Sequence, residues 1–272
     1  MNYRQLTPLL GVPTEGEPTP LDELQSNAAE VWDAYQESRY GFATRRLPLV
    51  LADALIAAQA YQGEERERAH ELMAMTHQGA AMVLTKVGET DLAWIAADRG
   101  LAAAQQSGNT VVTGSLFRSV AHCLLSNGRF DAAVQLVGDA SDHLRPGLDD
   151  ASPEFLSIYG TLFLAGSLAA ARAEVEEELG FTPPLGRLLA VDWAPSTAEG
   201  DKVLYVFDGG QLTAESLAAV TLQADELKDL AFLSPDEING RTIPRLARRI
   251  LAAVEARSKA TPIYLEHGQQ PE

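Results

Sequence analysis

The chain has 272 residues, 46% of them hydrophobic, with 38 acidic against 21 basic side chains and a formal net charge of −17. Residues 1–170 carry 11 basic and 21 acidic groups and residues 171–272 carry 10 and 17, so neither half has the basic footprint of a nucleic-acid binder. No unbroken apolar run reaches the roughly 18 residues of a membrane span. The opening MNYRQLTPLL lacks the layout of a signal peptide, and the lone Cys123 leaves no intrachain disulfide. A reducing, cytoplasmic setting is expected, with no nucleic acid and no membrane among the partners.

Residues 1–20 end in GVPTEGEPTP, with three prolines and no apolar period, and read as a flexible lead-in. From residue 21 to 172 the pattern is almost wholly helical. Alanine and leucine dominate, and the breaks fall at polar, glycine-containing turns: YQGEE, KVGET, QSGNT and SNGRF. Two turns match at an offset of 40 residues, VGETDLA (87–93) and NGRFDAA (127–133). In each a helix stops at glycine, an acidic residue opens the next, and alanine follows where helices approach closely. A helix pair repeating near this period predicts an α-solenoid, with pairs over 21–58, 64–105 and 111–145 and a further helix starting at 152.

The stretches WDAYQESRYG (32–41), ETDLAWIAADRGLAAAQQSGN (89–109) and SLFRSVAHCLLSNGRFDAA (115–133) resemble the tetratricopeptide-like sensor region of bacterial helix-turn-helix regulators. That resemblance implies a groove that binds a protein, a peptide or a small ligand. In departure from that family, no DNA-reading domain is expected before YRQLTPLL. Trp32, Tyr35, Tyr40 and Phe42 are candidates for such a groove, although aromatics at this spacing are more often packing. His70 and His77 share a helix face without a third metal ligand in view. Cys123, in AHCLL, reads as a small core residue.

After Arg172 the texture changes. GRLLAVDWAP (186–195) and KVLYVFDGGQL (202–212) read as strands, and LKDLAFLSPDEI (227–238) as a strand running into a turn or short helix. IPRLARRILAAVEARS (243–258) is an amphipathic helix, and TPIYLEHG (261–268) closes the unit as a short strand or tail. Residues 173–268 are thus expected to form a small mixed α/β domain.

AEVEEELGF (173–181) places Glu174, Glu177 and Glu178 at i, i+3 and i+4 on one helix face. Like charges at that spacing repel, and the helix C-terminus disfavours anions by roughly 0.3–1 kcal/mol each. A divalent cation would offset both; a solvated acidic face is the bland alternative. The segment resembles the end of the Nudix hydrolase box, G-x5-E-x7-R-E-U-x-E-E-x-G-U with U aliphatic. GRLLAVDW, VFDGGQL and FLSPDEI follow in the order that family shows. The resemblance implies Mg2+ or Mn2+ held by Glu174, Glu177 and Glu178, and hydrolysis of a nucleoside-diphosphate-linked substrate. The upstream half departs from the box: its glycine, first glutamate and arginine positions fall on Tyr159, Ala165 and Ala173. The expectation is a solenoid joined to a truncated Nudix-like module, acting as a regulatory or accessory interaction protein. The alternatives are an active hydrolase, or a Nudix-derived enzyme repurposed in a biosynthetic pathway.

Four further expectations follow. Arg245, Arg248 and Arg249 lie on one helix face and are candidates for a phosphate, against the plainer role of balancing nearby acids. Asp225, Glu226, Asp236 and Glu237 are candidates for a general base. Half a mixed sheet leaves an edge to cover, which the preceding helices or a homodimer would do. No proline lies between Pro153 and Phe181, so one helix is expected to start near Ser152 and run on as the acidic helix, its glutamates facing the small sheet.

Overall fold

A computed structural model describes residues 16–181, 185–195 and 202–271. Most of the expected lead-in therefore lies outside the described residues. The chain divides into two compact units between Ala169 and Ala170. The boundary expected at 172/173 falls within the next helical turn.

The first unit is a succession of helices: α1 (Leu21–Gln36), α2 (Tyr40–Ala60), α3 (Gly63–Lys86), α4 (Thr90–Ser107), α5 (Thr110–Ser126), α6 (Phe130–Leu144) and the start of α7 (Pro153–Leu179). From α1 to α6 each packs on the next, and α3 also packs on α1 and α5; Val137, Ala140 and Leu144 of α6 share a core cluster with Phe155 and Leu162 of α7. Asp22 meets Arg68 and Val31 meets Gly79 between α1 and α3; Gln78 meets Ser115 and Ser119, and Thr85 meets Cys123, between α3 and α5. Both numbers rise together along each pair, so these three helices run side by side in the same direction.

The matched turns recur atom for atom. Gly88 and Gly128 are left-handed, at φ 83° and 68°, and glycine alone adopts that region without strain. Gly88 N–H bonds the Thr85 carbonyl and Glu89 N–H that of Leu84; Gly128 and Arg129 bond Leu125 and Leu124 in the same way. A third copy sits at the α1–α2 turn, where Ser38 (φ 59°) bonds Tyr35 and Arg39 bonds Ala34. Four residues past each last-named amide come Ala43, Ala93 and Ala133, all at most 1% exposed, where the helix backbones approach. The first two turns are 50 apart rather than 40, because α2 and α3 have 21 and 24 residues against 18 and 17 in α4 and α5.

Helix α7 begins as the sequence dictates. The Ser152 hydroxyl accepts from Phe155 N–H, and Pro153, which lacks an N–H, takes the first helical position. It then runs unbroken to Leu179 and stops at left-handed Gly180 (φ 73°). By length and composition α7 is apolar enough to cross a membrane, against the expectation of no such segment, and 28% of its most apolar stretch is buried in the protein. Ser157, Thr161, Ser167 and the glycines interrupt the apolar run without adding charge, which is why counting unbroken apolar residues misses it.

The second unit holds a three-stranded sheet in the order β2 (Val203–Phe207), β1 (Leu188–Trp193), β3 (Ile263–Glu266). Central β1 pairs antiparallel with β2, Val191 opposite Tyr205, and parallel with β3, Ala190 opposite Ile263. The amphipathic segment forms α10 (Pro244–Lys259), whose Ala253 and Ala256 pack with Leu189, Val206 and Ile263. Between β2 and α10 lie two short helices, α8 (Ala214–Ala218) and α9 (Pro235–Arg241). The strand expected at 227–234 does not form: that stretch is irregular, and Phe232 is 69% exposed. A short apolar run carries no periodicity to choose its fate, and here it finds no partner strand.

Candidate functional site

In the first unit, parallel α1, α3 and α5 enclose a groove of about 580 Å³. Trp32 and Met75 supply its apolar lining, and Met75 is 47% exposed. One end is held by Arg68, which donates to Asp22 (2.6 Å) and Gln25 (2.9 Å). A buried polar ledge sits deeper: Gln78 Nε2 donates to the hydroxyls of Ser115 (2.6 Å) and Ser119 (3.0 Å), fixing α3 against α5. Trp32, Tyr35 and Tyr40 follow one another with ring centroids 5.5 and 6.1 Å apart. Trp32 thus lines the groove rather than serving only as core, whereas Phe42 packs under the Arg39 guanidinium at 5.2 Å.

Next to Tyr35 on this side is Arg118, one turn beyond Ser115 on α5. Its Nε is buried without a hydrogen-bond partner. Burial lowers the guanidinium's pKa, opposed by the charge interaction with Tyr35. His122, a turn further, is lowered by burial and then by Arg118 and Lys86, which keeps its ring neutral at pH 7. The signal for Arg118 in the sequence was a lone charge inside the apolar helix SLFRSVAHCLL; for Gln78 there was none.

The other singled-out residues of this unit are structural. His77 is buried and held down to about 4, by burial first and Arg99 second, and its Nδ1 has no partner. His70 is half-buried. Burial pushes the Cys123 thiol up, partly offset by the Thr85 hydroxyl.

In the second unit the acidic turn takes the expected spacing but not the expected orientation. Glu174 and Glu177 are exposed and Glu178 is half-buried. The inward face is Val175 and Leu179, which line an apolar hollow with Phe181, Leu185, Leu212 and Phe232. Apolar side chains turn in because an unpaired carboxylate is costly to bury. The helix's last carbonyls, on Glu178 and Leu179, accept from Gln223 and Thr221 N–H. Among the described residues no three of His, Cys, Asp and Glu come together to hold a metal ion. Glu174, Glu177 and Glu178 stand on one helical face, where magnesium would have to complete its octahedral shell with water or substrate oxygens.

The arginine stripe of α10 is divided among other tasks. Arg249 Nε donates to Asp192 Oδ2 at 2.6 Å, and Gly268 N–H donates to Oδ1 at 2.9 Å. Asp192 is fully buried in β1, so Arg249 is not free for a phosphate. Arg248 donates to the His267 carbonyl at 3.0 Å, and Arg245 is exposed. Of the general-base candidates, Glu237 caps α9, accepting from Ser234 N–H (2.8 Å) and hydroxyl (2.6 Å), which holds its pKa low. Asp225, Glu226 and Asp236 are exposed. The FDGG turn is built on Asp208, whose carboxylate accepts from Gly210 N–H and Arg257 and is thereby held below the ordinary range.

Compared with protein-family models, curated proteins and solved structures, the chain matches none significantly.

Proposed function

We propose that the chain is a regulatory or accessory interaction protein: a tetratricopeptide-like solenoid whose groove binds a peptide, protein or small ligand, joined to a degenerate Nudix-like module. The observation that carries this reading is the groove itself, walled by three parallel helices and lined by half-buried Trp32 and exposed Met75. The recurring turn at Ser38, Gly88 and Gly128 supports the solenoid part. Support for the Nudix-like part is the order of β1, β2 and α10 after the acidic turn. A homodimer through the small sheet belongs to the same proposal, since Val203 on the outer strand β2 is 45% exposed.

The test is selection of a random-peptide phage library against the intact chain. Enrichment is expected, and it should be lost in Met75→Glu, which alters the groove lining without touching the core. No enrichment, or enrichment indifferent to Met75→Glu, overturns the reading. The competing hydrolase reading draws on the i, i+3, i+4 spacing of Glu174, Glu177 and Glu178 in α7. Sustained turnover of nucleoside-diphosphate derivatives in millimolar magnesium, abolished by Glu178→Gln, would establish it instead.

A further inference from the structure

Building on the groove-binding reading, we infer that the ligand is an acidic peptide, with a carboxylate paired to Arg118 and apolar side chains lying along Trp32 and Met75. The chain is strongly acidic, with 38 carboxylates against 21 basic groups, so a cation here has an abundant supply of intramolecular partners. Arg118 takes none. Its Nε is buried and unpartnered, and no hydrogen bond or ion pair joins Arg118, Lys86 or His122 to a carboxylate among the described residues. Asp33, on the groove's rim, makes no ion pair with Arg118 either. The charged or polar neighbour that acts on Arg118 is Tyr35, and those that act on His122 are Arg118 and Lys86.

A partly desolvated guanidinium without a counter-ion costs stability, and a planar fork of N–H donors is built to receive a carboxylate in two parallel bonds. An incoming carboxylate removes that penalty, so binding energy concentrates at this point.

The shape of the site favours a chain over a compact anion. Along α3 the lining runs from Arg68 through Glu71, Leu72 and Met75 to Gln78, a helical rise of about 15 Å, which about four or five residues of extended peptide would span. Chemistry changes along that length, from apolar surface at Trp32 and Met75 to the polar ledge of Gln78 and Ser115, and Arg118 stands one helical turn past Ser115, beyond the lined stretch. A peptide with apolar residues followed by Asp or Glu complements that order.

The experiment uses the intact chain and two fluorescein-labelled hexapeptide pools, one of Leu, Phe, Asp and Glu and one with Asn and Gln replacing the acids. Fluorescence anisotropy should show the acidic pool binding at least tenfold more tightly, with the preference weakening as salt rises. Arg118→Gln should abolish the preference and Arg118→Lys should retain part of it. Arg118→Leu should lose binding while melting at a higher temperature, a pairing that a merely structural arginine would not give.

Equal binding of both pools, or an acidic preference that survives Arg118→Gln, overturns the inference. If the amide pool binds and is displaced by Met75→Glu, the groove reading stands without it. Displacement by millimolar inorganic phosphate or succinate alone would assign Arg118 to a small anion, and a dimer that dissociates in Arg118→Gln would assign it to a second copy; each overturns the peptide. Binding of neither pool overturns the groove reading itself.

Discussion

In the helical unit the stabilising contacts are many, short in sequence and repeated; in the sheet unit the decisive ones are few and long. The turns at Ser38, Gly88 and Gly128 close with bonds three and five residues long, and alanines fill the helix contacts they set up. The sheet unit instead joins β1 to α10 and to the segment after β3 through one carboxylate, with partners 57 and 76 residues away. Repetition spreads the consequence of a lost contact, whereas a single polar staple concentrates it.

Asp192 should therefore be the most sensitive position in the molecule. Asp192→Ala leaves the largely buried Arg249 guanidinium unpaired, at a cost of about 3–5 kcal/mol. Replacing Asp192 and Arg249 together by leucine should recover most of that loss. Hydrogen exchange reads the outcome: protection should collapse in β1, β3 and α10 and persist in α3 to α5. Equal loss in the helices would break the contrast between the units.

The helical unit has its own weak point, in acid. His77 titrates near 6.5 when unfolded and about 4 when folded, so the unfolded chain binds more protons between those values. The stability this histidine contributes is complete above pH 6.5 and is lost as pH falls toward 4. At pH 4.5 urea unfolding should show about 2–3 kcal/mol less stability from this group than at pH 7. His77→Gln should flatten that part of the pH dependence while the slope from the carboxylates remains.

Two glycines of α7 sharpen the contrast at closer range. A Cβ on Gly166 would lie 2.7 Å from Val137 Cγ1, whereas one on Gly160 would meet nothing within 4 Å. Gly166→Ala should cost about 1–3 kcal/mol through overpacking. Gly160→Ala should gain up to about 1 kcal/mol by stiffening the helix. The smallest expected effect is at Ser38, held left-handed where the matching turns use glycine. Ser38→Gly should gain about 0.5 kcal/mol, the left-handed penalty less glycine's entropy. Thermal melts check all three.

What was legible in the sequence follows from the same contrast. Helices α2 to α6 and the length of α7 could be read because glycine and proline mark where a helix can stop, which is local information. The first copy of the turn escaped because Ser38 adopts glycine's conformation without being glycine. In the sheet unit β1, β2 and α10 were legible from composition, but the pairing of Asp192 with Arg249 was not. The arginines on that stripe look interchangeable in sequence, and only the fold distinguishes the one facing β1. The acidic turn was placed correctly on its helix, yet its facing was not, because Val175 and Leu179 compete for the same inward side and burial favours them. Arg118 was visible as a residue and silent as a site, since its lack of a partner is a property of space.

The parallel pairing of β1 with β3 also sets an order of events during synthesis. Each helical hairpin can close as soon as its own residues leave the ribosome, and chains with local contacts fold fast. Strand β1 has to wait: Ala190 is made some seventy residues before Ile263, its partner across the ladder, and Asp192 earlier still than Gly268. Throughout that interval the central strand of the sheet is an open edge carrying a carboxylate meant to be buried. A nascent chain stalled between Lys259 and Ile263 should be the form that chaperones hold and that aggregates when they are scarce.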